Sequence, residues 1–110
     1  MQRFWFSAAG LLGALAVGLA AIAAHVALDS RSMVQNVAML LGWHAPAFIG
    51  LALWPRGGPV AATLLLGLTL FSGAVLLRAF TGVSLGPVAP IGGMTMIGGW
   101  LLLAVLAWRR

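Results

Sequence analysis

The sequence predicts an all-α membrane protein: a four-transmembrane-helix antiparallel bundle with both termini in the cytoplasm. Three observations predict it. Of the 110 residues, 63% are hydrophobic and 6% are charged, whereas a water-soluble domain carries roughly a quarter of its residues as ions. The apolar residues gather in four stretches of about 18–25, each long enough to cross a hydrocarbon core of about 30 Å. The only acidic residue is Asp29. Lipid offers the backbone no hydrogen bonds, so each stretch must satisfy its own peptide groups as a helix. Short links then make neighbours antiparallel, and the length suits a single membrane domain over residues 1–110.

The first span is expected from about Phe4 to Leu28. Its Arg3, apolar core and Ala21-Ile22-Ala23 resemble a secretory signal with a cleavage site, but the apolar run continues past that site, so it is read as a span. Asp29, Ser30, Arg31 and Ser32 form a polar break. The second span runs from about Met33 to Trp54 and contains Pro46, which cannot donate to the carbonyl of Gly42, so a local kink is expected there. Pro55, Arg56, Gly57, Gly58 and Pro59 read as a turn. The third span covers about Val60 to Phe80, a glycine- and proline-containing loop covers Thr81 to Pro90, and the fourth covers about Ile91 to Trp108.

All six basic residues are arginines. Arg3, Arg56, Arg109 and Arg110 fall on one side of a four-span bundle; Arg31 and Arg78 fall on the other, with Asp29 beside Arg31. The positive-inside rule places the first group, and both termini, in the cytoplasm. The scattering of these charges along membrane edges differs from the clustered basic face of a nucleic-acid binder, so no nucleic-acid partner is expected. Trp5, Trp54, Trp100 and Trp108 are read as an aromatic belt at the span ends.

Because lipid is as apolar as leucine, the helices must associate through close packing at small residues. Candidate stripes are Gly10, Ala14, Gly18 and Ala21 on the first span, Thr63, Gly67 and Ala74 on the third, and Gly92, Thr95 and Gly99 on the fourth. Bundle packing is their expected use, with a homo-oligomer contact as the alternative. His25 lies four residues beyond Ala21, which puts it on the first stripe and facing protein.

The candidate polar sites are His25, His44 and Arg78. An intramembrane histidine is a site hypothesis in itself; the plainer reading of His44 is a neutral ring bonded to a carbonyl or hydroxyl, fixing helix register. A haem held between the two histidines needs both at one depth, yet His25 lies near the outer end of its span and His44 about three turns in, a difference of roughly 10–12 Å. Two histidines without carboxylate or thiolate partners also make a poor zinc site. No cofactor is therefore expected. Arg78 lies within a turn of its span's outer end, where it snorkels to the headgroups or contacts a lipid phosphate or other anion. Asp29 is placed to pair with Arg31 or Arg78. Ser72 is expected to bond back to a carbonyl of its own helix.

The polar inventory excludes function classes. There is no cysteine, and hence no disulfide or thiolate centre. The small multidrug transporters, which share this length and span number, need a membrane-embedded carboxylate that this chain lacks. Hydrolysis lacks a buried acid and a convincing serine–histidine arrangement.

Leu70-Phe71-Ser72-Gly73, followed by Pro90-Ile91-Gly92-Gly93 and Gly98-Gly99-Trp100, resembles the domain-of-unknown-function 423 family, small bacterial inner-membrane proteins related to the animal transmembrane protein 256. Ala23-Ala24-His25 is similar to the Gly-Ala-His end of that family's first helix, and His44 to a second histidine in its second helix. The resemblance covers most of the chain. Gly42 and Trp43 stand where the family often has Tyr-Gln, and Ala89 where threonine is common. The resemblance implies a multi-pass protein of the bacterial inner membrane and assigns no activity. Together with the inventory, it leads us to expect a non-enzymatic accessory or assembly subunit in the lipid bilayer, packing against a larger membrane protein complex. The alternative is a small homo-oligomeric transporter or channel, with His25, His44 and the Pro46 region lining its path.

Overall fold

The computed structural model describes residues 2–26 and 29–109. Four helices follow one another: α1 (Gln2–His25), α2 (Arg31–Leu53), α3 (Gly57–Thr81) and α4 (Val88–Trp108). Each is long and apolar enough to cross a membrane, and the chain is an all-α, four-helix membrane protein.

The helix starts lie earlier than the turn residues suggest. Gly57, Gly58 and Pro59 form the first turn of α3, and Pro90 sits in the first turn of α4. The N–H groups of a first turn have no intrahelical partner, so proline loses nothing there. Gly57 is required for another reason: a Cβ on it would run into the backbone of Leu51. α2 runs unbroken through Pro46. α3 ends at Gly82, whose φ of 78° is left-handed and whose N–H caps the carbonyl of Arg78 at 2.9 Å; glycine adopts that conformation without a Cβ clash. The expected end of the first span, Ala27 and Leu28, lies outside the described residues, as does Arg110.

Consecutive helices pack on one another in a body of 50 × 27 × 18 Å. The thin dimension and the grooves show a staggered layer: α1 and α3 flank a groove that reaches Leu41 of α2, and α2 and α4 flank another that reaches Phe71 and Val75 of α3. Val34, Val37, Phe48, Val60, Leu64 and Leu68 are the largest fully buried side chains, so the centre of the core is the α2–α3 seam.

The α1–α2 seam is built from Ala9, Ala16 and Ala23, with Leu12 and Leu19 between them. Small residues oppose them: a Cβ on Gly13 would stand 3.8 Å from that of Ala45, and one on Gly42 would stand 3.7 Å from that of Ala16. The predicted stripe of Gly10, Ala14, Gly18 and Ala21 is therefore not this seam. All four are exposed. Gly18 lies nine residues from Ala9, which at about 3.6 residues per turn is half a turn away. An alanine- and glycine-rich helix carries small residues on both faces, and spacing alone does not say which one packs.

The α3–α4 seam is closer still. A Cβ on Gly92 would lie 2.5 Å from the backbone nitrogen of Phe71, one on Gly67 2.8 Å from the carbonyl oxygen of Gly92, and one on Gly99 2.8 Å from a methyl of Leu64. Met96, buried between Gly92 and Gly99, completes the seam. Thr95 lies to one side, half-buried, and donates to the carbonyl of Ile91 at 2.7 Å.

Candidate functional site

The most buried polar group in the described core is His44, 4% exposed on α2. Its Nδ1 lies 2.7 Å from the carbonyl oxygen of Leu40, one turn back. Its Nε2 lies 3.1 Å from Nε1 of Trp100 on α4. An indole N–H only donates and a carbonyl only accepts. His44 must then accept at Nε2 and donate from Nδ1, which is the neutral Nδ1–H tautomer. The two rings are 5.5 Å apart, tilted by 55°. His44 thus joins α2 to α4, two helices whose direct packing is otherwise slight.

The sequence places His44 against a carbonyl or hydroxyl and Trp100 in an interfacial belt. The carbonyl bond is present, but Trp100, itself 42% exposed, turns its N–H inward at mid-span. The signal was available in the spacing. His44 lies 13 residues into α2 (44 − 31) and Trp100 lies 12 into α4 (100 − 88). Both helices run in the same direction in an up-down-up-down chain, so the two side chains reach nearly equal depth, roughly 18–20 Å at 1.5 Å per residue. Trp5 likewise leaves the belt: it is buried and stacks on Phe48, with centroids 5.8 Å apart and planes within 3°.

His25 is corrected. It is exposed at the end of α1, on the outward face shared with Gly18 and Ala21, and it approaches neither His44 nor a buried seam. Once the alanine heptad takes the seam, His25, two residues past Ala23, turns away from the bundle.

Ser72 is also corrected. Its hydroxyl is buried without a hydrogen-bond partner. Thr63, Thr69 and Thr95 do bond back to the carbonyls of Pro59, Leu65 and Ile91 at 2.7–2.8 Å. Ser72 instead lines a leucine-rich groove of about 290 Å³ between α1 and α3. Gly10, Gly18, Gly73 and Gly93 have nothing within 4 Å of a notional Cβ, in contrast to Gly67, Gly92 and Gly99.

The remaining polar contacts close the two ends of the bundle. At the terminal end, Arg56 donates to the carbonyl of Leu106 at 3.1 Å and also to that of Arg109, so it binds the negative pole of α4. At the other end Ser30 donates to the carbonyl of Ala79 at 2.8 Å, and Arg31 donates to that of Val26 at 3.4 Å rather than pairing with Asp29. Arg78 is exposed and lines a cleft of about 260 Å³ with Asn36 and Ser84. In the sequence Arg56 is a topology signal only; its place at the α4 terminus follows from the fold.

His44 on α2, and Gly67 and Gly92 of the α3–α4 seam, fall within a family match. The family model described as a protein of unknown function (DUF423) matches residues 19–93. The chain belongs to the DUF423 family. A UPF0382 membrane protein from Schizosaccharomyces pombe is 35% identical to it, over 91% of this chain and 98% of the relative. The UPF0382 inner membrane protein YgdD of Escherichia coli is 31% identical, over 98% of this chain and 92% of the relative. A UPF0382 membrane protein of Staphylococcus haemolyticus is 40% identical over a shorter stretch, 42% of this chain and 38% of the relative. No solved structure matches. With four membrane-spanning helices and an inner-membrane relative aligned over nearly its whole length, this DUF423 chain is a multi-pass protein of the inner membrane.

Proposed function

We propose that the protein is a non-enzymatic accessory subunit that packs against a larger membrane protein complex. The observation that carries this reading is the outward face of α1. Gly10, Ala14, Gly18 and Ala21 line it, all exposed, and the two glycines have open space where a side chain would stand. Within lipid, small residues let another helix approach closely enough for dispersion and weak backbone contacts to hold it. The bundle does not use this face, because α1 packs on α2 through Ala9, Ala16 and Ala23. His25 ends the same face with a polar ring, a group that favours a protein neighbour over lipid.

The polar interior supports a structural role over transport. Both ring nitrogens of His44 are engaged, and His25 lies on an outer surface far from it in depth. The arginine distribution supports cytoplasmic termini: Arg3, Arg56 and Arg109 share one end, with Arg31 and Arg78 at the other.

Purification from native membranes in a mild detergent, followed by native mass spectrometry, tests the proposal. The expected result is a larger complex of fixed stoichiometry, which a Gly10→Leu/Gly18→Leu variant loses while remaining folded and membrane-inserted. Recovery of the parent only as a monomer or homo-oligomer, or an unchanged complex with the double variant, contradicts it.

A further inference from the structure

We propose that the cleft around Arg78 binds the phosphate of an anionic glycerophospholipid, with the adjoining acyl carbons lying along α3. This inference is independent of the accessory-subunit reading. The cleft has a volume of about 260 Å³ and opens at the end of the bundle away from the chain termini, between α2 and α4 and across α3. Its polar lining consists of Arg78 on α3, Asn36 on α2 and Ser84 in the α3–α4 loop.

These groups offer donors. Arg78 presents a guanidinium, whose planar fork of five N–H groups matches two oxygens of one phosphate. The Ser84 oxygen already accepts from the N–H of Gly86 at 3.2 Å, which leaves its own proton free to donate. Asn36 supplies an amide NH₂. No carboxylate lines the cleft; Asp29, the single acid of the chain, lies in the α1–α2 turn.

The C-terminal carbonyls of α3 oppose an anion, and two of the last four are occupied: that of Arg78 by the N–H of Gly82 and that of Ala79 by the Ser30 hydroxyl. α4 begins at Val88, so its positive pole faces the cleft through Ala89, where a helix N-terminus favours an anion.

The apolar wall separates a lipid from a free anion. Phe71, Ala74 and Val75 continue the lining on α3 below Arg78. Phe71 lies seven residues from Arg78, on the order of 10 Å deeper along the helix at 1.5 Å per residue. A soluble phosphate would leave that wall unused. A phospholipid fills both parts, because a membrane-spanning α3 puts Arg78 at headgroup level and Phe71 among the acyl chains. Basic pockets between transmembrane helices bind anionic headgroups on the cytoplasmic side of membranes, and this cleft offers the same pairing of cation and apolar wall at the opposite end.

Native mass spectrometry of the full chain in detergent, titrated with phosphatidylglycerol, reads the site. We expect one tightly retained lipid per chain. Diacylglycerol with the same acyl chains should bind at least about tenfold more weakly, since a charge-assisted hydrogen bond to phosphate accounts for about that factor. Arg78→Gln should lower phosphatidylglycerol retention by a similar factor, Arg78→Lys should lower it less, and Arg31→Gln, whose guanidinium is engaged by Val26, should leave it unchanged. Equal retention by parent and Arg78→Gln overturns the proposal, as does equal retention of phosphatidylglycerol and diacylglycerol, which would mean an apolar groove only. An equal loss in Arg31→Gln overturns it in favour of diffuse charge. Displacement of the lipid by millimolar inorganic phosphate overturns the lipid assignment and leaves a small-anion site.

Discussion

Trp100→Phe isolates one hydrogen bond. It keeps an aromatic ring on α4 and removes only the indole N–H and part of the ring area, leaving Nε2 of His44 with no donor at a position 4% exposed. An unsatisfied buried acceptor costs about 1–3 kcal/mol in water-soluble proteins. Inside membranes, measured side-chain hydrogen bonds average about 0.6 and reach about 1.7 kcal/mol, because the unfolded reference also finds partners. His44 is held in place by Leu40 and cannot turn to another donor without losing that bond, so the upper half of the range applies: a coupling of about 1 kcal/mol. The assay is a double-mutant cycle of His44→Leu and Trp100→Phe, with stability measured by steric trapping in bicelles. Nitrogen-15 shifts of the His44 ring supply a second reading and should report the neutral Nδ1–H tautomer. A coupling below about 0.3 kcal/mol, or a ring protonated at Nε2 alone, refutes the reasoning.

Three further outcomes follow from the packing and topology. Gly92→Ala should destabilise the bundle by about 1–3 kcal/mol through overpacking, because its Cβ would meet the Phe71 backbone at 2.5 Å; Gly93→Ala, with nothing within 4 Å, should be neutral or slightly stabilising in the same unfolding assay. Ser72→Ala removes a buried hydroxyl that has no partner and should leave stability unchanged or raise it by up to about 1 kcal/mol; a loss of that size would reveal a bond to this hydroxyl. Fluorescent-protein and alkaline-phosphatase fusions at the carboxyl end should report a cytoplasmic terminus, and phosphatase activity there would reverse the orientation drawn from Arg3, Arg56 and Arg109.

Span number, helix class and the antiparallel order were legible because they depend on composition and length, which lipid constrains directly. The seams were legible only in part. On α4 the glycines come in two pairs, and it is Gly92 and Gly99, seven residues apart on one face, where the Cβ-free contacts fall, while Gly93 and Gly98 have open space. On α1, small residues occur on every face, so the heptad Ala9–Ala16–Ala23 and the stripe Gly10–Ala14–Gly18–Ala21 were equivalent until α2 was placed, and His25 moved with the choice. α3 and α4 start about three residues before the positions that Pro59 and Pro90 suggest as breakers, because the first turn of a helix asks nothing of the N–H that proline lacks. The His44–Trp100 bond escaped for a different reason: tryptophan in a membrane protein suggests the interface, and only comparison of depths along two parallel helices points inward.

The outward α1 face and the Arg78 cleft lie on different parts of the molecule, which makes their proposed roles separable. The cleft is lined by α2, α3, α4 and the α3–α4 loop, without a residue of α1. The stripe from Gly10 to Ala21 belongs wholly to α1 and points away from α2. A protein seated on α1 therefore leaves the cleft open, and a lipid in the cleft leaves the stripe bare. Sites that share no residues and no contacting partners behave additively within about 0.5 kcal/mol. Gly10→Leu/Gly18→Leu should then abolish complex formation with lipid retention intact, and Arg78→Gln should lower lipid retention with the complex intact, both read in one native mass spectrum. A complex lost in Arg78→Gln would mean that the lipid itself bridges the chain to its partner, and the two surfaces would have to be treated as one.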